Sequence, residues 1–125
     1  MESLLVEQTT QTPRIAFDAM TGNGEIVGTS FPEYANDFYA CVYEWVDQYF
    51  AERPDAPLHV SFNLNYFNTA ANKEVRLMMR HLERHFNEDK NVRITWFHEA
   101  EDDDMEDIGK YYSVNLSAPV SVETL

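Results

Sequence analysis

An α/β fold, a single-domain sandwich of a small mixed β-sheet with helices packed on it, follows from three features of the sequence. Stretches that alternate with period two, such as Val60–Tyr66 and Val92–Trp96, are separated by stretches of helical period, such as Val75–Phe86. The turn-rich Thr21-Gly22-Asn23-Gly24 joins two short apolar runs and predicts an antiparallel hairpin. With 125 residues, 44% of them hydrophobic and 14% aromatic, the chain can bury about two thirds of its unfolded surface in one core without metals or disulfides.

Residues 1–12 are polar and read as an N-terminal leader with room for a first strand; residues 13–125 read as one domain. Arg14-Ile15-Ala16-Phe17-Asp18 predicts a short strand, and Glu25-Ile26-Val27-Gly28 the strand that returns from the turn. Phe31-Pro32-Glu33 breaks that strand, and a first helix follows from Tyr34 or Asn36 to Ala51, ended by Arg53-Pro54. Its apolar stripe is Phe38, Cys41 or Val42, Trp45 and Tyr49, widened by Tyr39, Val46 and Phe50. Pro57 opens a strand with Phe62, Leu64 and Tyr66 on one face and Ser61, Asn63 and Asn65 on the other. A second helix runs from about Ala70 to Asn87, with Val75, Met78, Met79, Leu82 and Phe86 at helical spacing. A polar loop leads to the strand Val92–His98. The acidic run Glu99–Asp107 leads into a short helix near Asp104–Tyr111, and Tyr112–Leu116 is expected as the last strand. The predicted order is β-β-β-α-β-α-β-α-β.

The charge balance narrows function. Nine Lys and Arg stand against 22 Asp and Glu, a formal net of −13. Nucleic-acid phosphates and anionic membranes would be repelled over most of such a surface, so neither is an expected partner. Positive charge concentrates only on the second helix, where Lys73, Arg76, Arg80 and Arg84 share a face. One cysteine, Cys41, excludes an internal disulfide and suits a buried thiol in a reducing compartment. The start of the chain lacks a basic, then apolar, leader, and no segment approaches 18 uninterrupted apolar residues. These features predict a soluble, cytoplasmic protein.

The most informative stretch is Val60–Lys73, where strand alternation passes directly into helical period through Asn68-Thr69. Thr69 is then a hydroxyl at a strand-to-helix corner, beside unpaired backbone N–H groups and the positive end of the helix dipole. Two compatible readings follow. Asn68 or Thr69 is an N-cap worth about 1 kcal/mol. Thr69 is also placed to carry a phosphoryl group, with Lys73 one turn on. Other chemistry fails on spacing. An EF-hand loop starting at Asp102 would need glycine at its sixth position and Glu at its twelfth, where Asp107 and Ser113 stand. His81 and His85 are spaced i, i+4, but Leu82 follows His81 and no third ligand is near in sequence, so no metal or cofactor is predicted. No glycine-rich phosphate loop, nucleophile context or paired carboxylate points to catalysis. The alternative to a binding module is a ligand-binding or catalytic pocket between the first helix and the sheet, lined by Tyr39, Tyr43, Trp45 and His98.

The chain resembles the SiaC family of bacterial regulatory phosphoproteins over about Arg14 to Leu116. The resemblance is carried by Ser30-Phe31-Pro32-Glu33, Trp45 with Tyr49, Leu64-Asn65-Tyr66-Phe67-Asn68-Thr69, Val92–Trp96, the acidic Glu101–Asp107 run and Ile108-Gly109. It implies a fold similar to the anti-sigma-factor antagonists (STAS-like) and a non-enzymatic adaptor working by partner switching. It implies a SiaB-like protein kinase that phosphorylates the corner threonine and a SiaA-like serine/threonine phosphatase that reverses this. It also implies a SiaD-like diguanylate cyclase bound and regulated by the unphosphorylated form, in control of cyclic di-GMP and biofilm formation. Carried over by position, the phosphoacceptor is Thr69. Asn68, Thr69, Ala70, Lys73 and Arg76, clustered at that corner, are the expected partner-binding residues. The family usually shows further hydroxyl residues after that threonine; Ala70 and Ala71 stand here, which leaves Thr69 as the single acceptor of the corner.

Overall fold

Six strands form one sheet in the order of the chain, in a computed structural model that describes residues 1–125. β1 (Leu4–Val6), β2 (Arg14–Phe17) and β3 (Asn23–Ser30) pair antiparallel; β4 (Leu58–Phe67), β5 (Val92–His98) and β6 (Val120–Thr124) continue the sheet in parallel. The three parallel connections are the helices α1 (Ala35–Glu52), α2 (Thr69–Asn87) and α3 (Asp103–Asn115). Successive crossovers advance across the sheet in one direction, and their shared right-handedness puts all three helices on the same face. The element order is the predicted one, and the fold is a mixed α/β single domain, consistent with a STAS-like arrangement. The strand of residues 1–12 is tied in: Trp45 Nε1 donates to the Glu2 carbonyl at 2.9 Å, and Ala19 N donates to Ser3 Oγ at 2.9 Å.

The core lies between sheet and helices. One inward row crosses the sheet through Ile15, Ile26, Phe62 and Trp96, matched residue to residue. Tyr39, Val42, Trp45, Val46, Tyr49 and Phe50 of α1 cover it, with Val75, Met78, Met79 and Leu82 of α2. Phe38 and Cys41, expected in the α1 stripe, sit at its half-buried margin. Burial and the nearby Glu44 raise the Cys41 thiol above its usual range, so it is a neutral packing group. The opposite sheet face carries half-buried His59, Ser61 and Asn63 and no helix.

Two expectations fail for local reasons. Tyr66 does not continue the inward face of β4 but is 54% exposed. The β3–β4 register shifts there, Gly28 pairing with Leu64 and Thr29 with Tyr66, so Asn65 is an extra residue. Such a bulge reverses the alternation; Phe67 turns inward onto the Trp96 ring, and Gly28 takes φ +126 opposite it. The expected last strand, Tyr112–Leu116, is instead the end of α3, and the strand is β6. Met105, Gly109 and Tyr112 are the buried stripe of α3, and Tyr112 packs on Trp96 at 5.7 Å between ring centroids. That packing overrides the strand propensity of Tyr-Tyr-Ser-Val.

The expected pocket between α1 and the sheet does not exist, because its lining is core. Tyr39 is fully buried with its hydroxyl 2.7 Å from Ser30 Oγ, and burial pushes its pKa up to about 12. Trp45 and His98 are buried as well, the latter donating from Nδ1 to the Glu99 carbonyl at 2.8 Å. The clefts lie elsewhere, one over the open face at β1–β4 and one between α2 and α3.

Candidate functional site at the β4–α2 corner

β4 ends at Phe67, and Asn68 remains extended (φ −84, ψ −178) before the chain turns into α2 at Thr69. The corner is fixed by backbone, since Asn68 N donates to the Ser30 carbonyl at the end of β3 at 3.2 Å. Asn68 is the N-cap: its Oδ1 accepts from Ala71 N at 2.9 Å, and its carbonyl accepts from Asn72 N at 2.8 Å. Of the two cap candidates the asparagine does the capping, so the Thr69 hydroxyl is not spent on it. Thr69 and Ala70 are exposed, whereas Ala71 is fully buried. A hydroxyl at position 71 would therefore face the core.

The corner is not neutralised in advance, because the first turn of α2 carries no acidic residue. Lys73 and Arg76 are exposed and follow Thr69 by four and seven residues on the same helical face. Arg76 and Asn72 also form one wall of a cleft of about 280 Å³, with Asp107, Ile108, Tyr111 and Tyr112 of α3 opposite. Burial raises the Tyr112 phenol despite the opposing charges of Arg76 and Arg80, so it stays a neutral wall. Exposed apolar side chains flank this side: Tyr66, set edge-on to Phe31 at 5.9 Å, Leu77 on α2, and Tyr111 and Val114 on α3. The acidic run behaves as a helix start, with Asp102 as N-cap accepting from Met105 N at 3.1 Å.

A second constellation crosses from α1 to α2. His81 and His85, one turn apart, both direct Nε2 at Asp47 Oδ1, each at 2.7 Å. Burial pushes the His81 imidazole below its ordinary range, and the neighbouring Asp47 offsets only part of that. At Asp47 partial burial works upward, but the bonds and charges of His85 and His81 outweigh it and hold the carboxyl low. The third member, Asp47, stands 34 residues before His81, so only the packing of α1 on α2 reveals it. A buried Glu74 joins the same helices, accepting from Tyr43 OH at 3.1 Å and Asn36 Nδ2 at 3.3 Å.

The SiaC family model, described as the SiaC family regulatory phosphoprotein, matches residues 6–125. The chain belongs to the SiaC family. A curated relative, an uncharacterised protein of Pseudomonas aeruginosa (strain UCBPP-PA14), is 24% identical over 123 residues, covering 98% of this chain and 97% of the relative. Apo-SiaC from Pseudomonas aeruginosa has the same fold, with TM-score 0.89 at 24% identity over 98% of this chain and 99% of that one. So has the SiaC chain in a crystal structure of the diguanylate cyclase SiaD with its activator SiaC from that organism, with TM-score 0.90 at 23% identity over 98% and 99%. No helix of this SiaC-family chain is long and apolar enough to cross a membrane.

Proposed function

We propose that this SiaC-family protein is a non-enzymatic adaptor in the cytoplasm, switched by phosphorylation of Thr69. In its unphosphorylated form it binds and activates a diguanylate cyclase, and through cyclic di-GMP it acts on biofilm formation. A SiaB-like kinase and a SiaA-like phosphatase set the state of the switch. The observation that carries the reading is the exposed Thr69 at the first position of α2, its neighbour Asn68 supplying the cap, in a member of a family of regulatory phosphoproteins. The Pseudomonas SiaC bound to SiaD as its activator supports a cyclase as the partner.

The physical effect of phosphorylation follows from the corner. Ala71 N and Asn72 N are occupied by Asn68, while the amides of Thr69 and Ala70, in the first turn of α2, have no partner within the helix. A phosphoryl group brings about two negative charges to that point, with Lys73 within one turn. The helix start tolerates this charge, so the switch acts by altering the surface and not by unfolding α2. A partner seated over Thr69, the Arg76 cleft and the flanking Tyr66, Leu77 and Tyr111 would meet a doubly charged, strongly hydrated group where it met a methyl and a hydroxyl. Desolvating that group opposes docking.

Binding of a SiaD-like cyclase to wild type, Thr69→Ala and Thr69→Glu, followed by biolayer interferometry, tests the proposal. Wild type and Thr69→Ala should bind alike, and Thr69→Glu at least tenfold more weakly. Equal binding by all three would overturn it.

A further inference from the structure

We propose that Asp47, His81 and His85 form a binding site for one divalent transition-metal ion of the zinc class, with a fourth position open to water. One ligand atom from each of the three side chains lies within 4.8 Å of the others, and both imidazole Nε2 atoms reach the Asp47 carboxylate. Two histidines at i, i+4 on a helix present their rings side by side, and here both converge on the same oxygen of a second helix. The rings are held by packing and are not free on the surface: the side chains of His81 and His85 are 14% and 11% exposed. His81 stands edge-on to Tyr43 at 5.0 Å, and His85 lies against Phe50 at 5.1 Å. Asp47 is half exposed, so the site opens on its side to solvent.

The donor set selects the ion. Two imidazoles and one carboxylate suit zinc, copper or nickel, whereas magnesium and calcium want an all-oxygen shell. Three protein ligands with an open position are the arrangement zinc adopts when water completes the tetrahedron. Bond lengths of about 2.0–2.2 Å place tetrahedral donors about 3.3 Å apart, so the two imidazole nitrogens, within 4.8 Å of each other, have to close while Asp47 withdraws by roughly half an ångström from each ring. Its exposed position on α1 permits that. Without an ion, one carboxylate oxygen accepts from two rings while His85 Nδ1 is buried with no partner.

The surroundings also set the strength. Arg84 Nη2 lies 3.3 Å from His81 Nδ1, and Arg84 is exposed. With the metal on Nε2, Nδ1 carries the proton and Arg84 must turn away into water. Neither ring then has an acceptor on Nδ1, the kind of support whose loss weakens metal sites about 10–100-fold. The site is thus weaker than a fully supported one, and removing Arg84 should strengthen it. Bound metal joins α1 to the C-terminal half of α2. Thr69 lies 12 residues before His81 along the helix, about 18 Å away, so this inference stands apart from the phosphoswitch.

The test uses the untagged whole chain, freed of metal by chelator, and zinc alone as the titrant in calorimetry. One equivalent should bind, Arg84→Ala should bind several-fold tighter, and His81→Gln and Asp47→Asn should lose at least tenfold while circular dichroism shows them folded. Cobalt should give the visible absorption of a tetrahedral N/O site, absent in His81→Gln. Magnesium at the same concentration should not raise Tm. No zinc binding by the wild type, or binding that His81→Gln and Asp47→Asn retain in full, would overturn the proposal.

Discussion

Asn68 and Thr69 stand side by side at the β4–α2 corner, and the structure gives them different work. Asn68 satisfies an orphan amide of the helix, and Thr69 is left exposed. Asn68→Ala should therefore cost about 1 kcal/mol in urea unfolding, while Thr69→Ala should shift stability by no more than roughly 0.5 kcal/mol. A larger loss at Thr69 than at Asn68 would return the hydroxyl to a capping role. On the open face, His59 Nε2 is 2.7 Å from Thr95 Oγ1; burial, then the charge of Arg93, holds its imidazole below the ordinary range. A depressed histidine stabilises the fold fully above its unfolded pKa near 6.5 and loses that contribution as pH falls through its folded value. The unfolding midpoint of wild type should thus fall, relative to His59→Gln, between pH 7.5 and pH 5. The difference between the two proteins is the readout, because acidification also relieves the repulsion of the −13 net charge in both.

At the scale of elements, α3 reaches the sheet only because it carries a glycine where it crosses Trp96. A Cβ at Gly109 would come within 2.5 Å of Trp96 Cδ1, and the Trp96 indole donates to the Met105 carbonyl on the same helix at 2.9 Å. Gly109→Ala improves helix propensity but forces helix and ring apart, and should destabilise by about 1–3 kcal/mol in chemical denaturation. A stabilised variant would show that α3 has room to move. The same element shows where sequence pattern stops informing. The order of strands and helices was legible because alternation and helical period are strong in β4, α2 and β5. The end of α3 was not, since Tyr111–Val114 favours strand locally and is held helical by Tyr112 packing on Trp96. β6 is an edge strand of five mostly exposed residues and offers little alternation to read. Tyr66 departs from the alternation of β4 because one extra residue, Asn65, reverses the faces of the strand. The Asp47–His81–His85 cluster shows in local spacing only as the His81/His85 pair; Asp47 joins it through the meeting of two helices.

Across the whole molecule, a one-sided sheet carries its helices on one face, and the basic stripe of α2 is exposed on an otherwise acidic chain. That stripe begins at the corner where the phosphoryl group is proposed to sit. Because the charge lands at the positive end of a helix whose first amides lack an intrahelical partner, stoichiometric phosphorylation should leave the far-ultraviolet circular dichroism unchanged and should not lower Tm. A loss of helicity would mean that the switch melts α2, contrary to the surface mechanism. The account depends most on the identity of the modified residue. Peptide mass spectrometry of the protein isolated from its host, and of the chain incubated with a SiaB-like kinase and ATP, addresses it directly. The account predicts one phosphoryl group, on Thr69, and none on Thr69→Ala; a chain modified at another residue, or unmodified in both preparations, would contradict it.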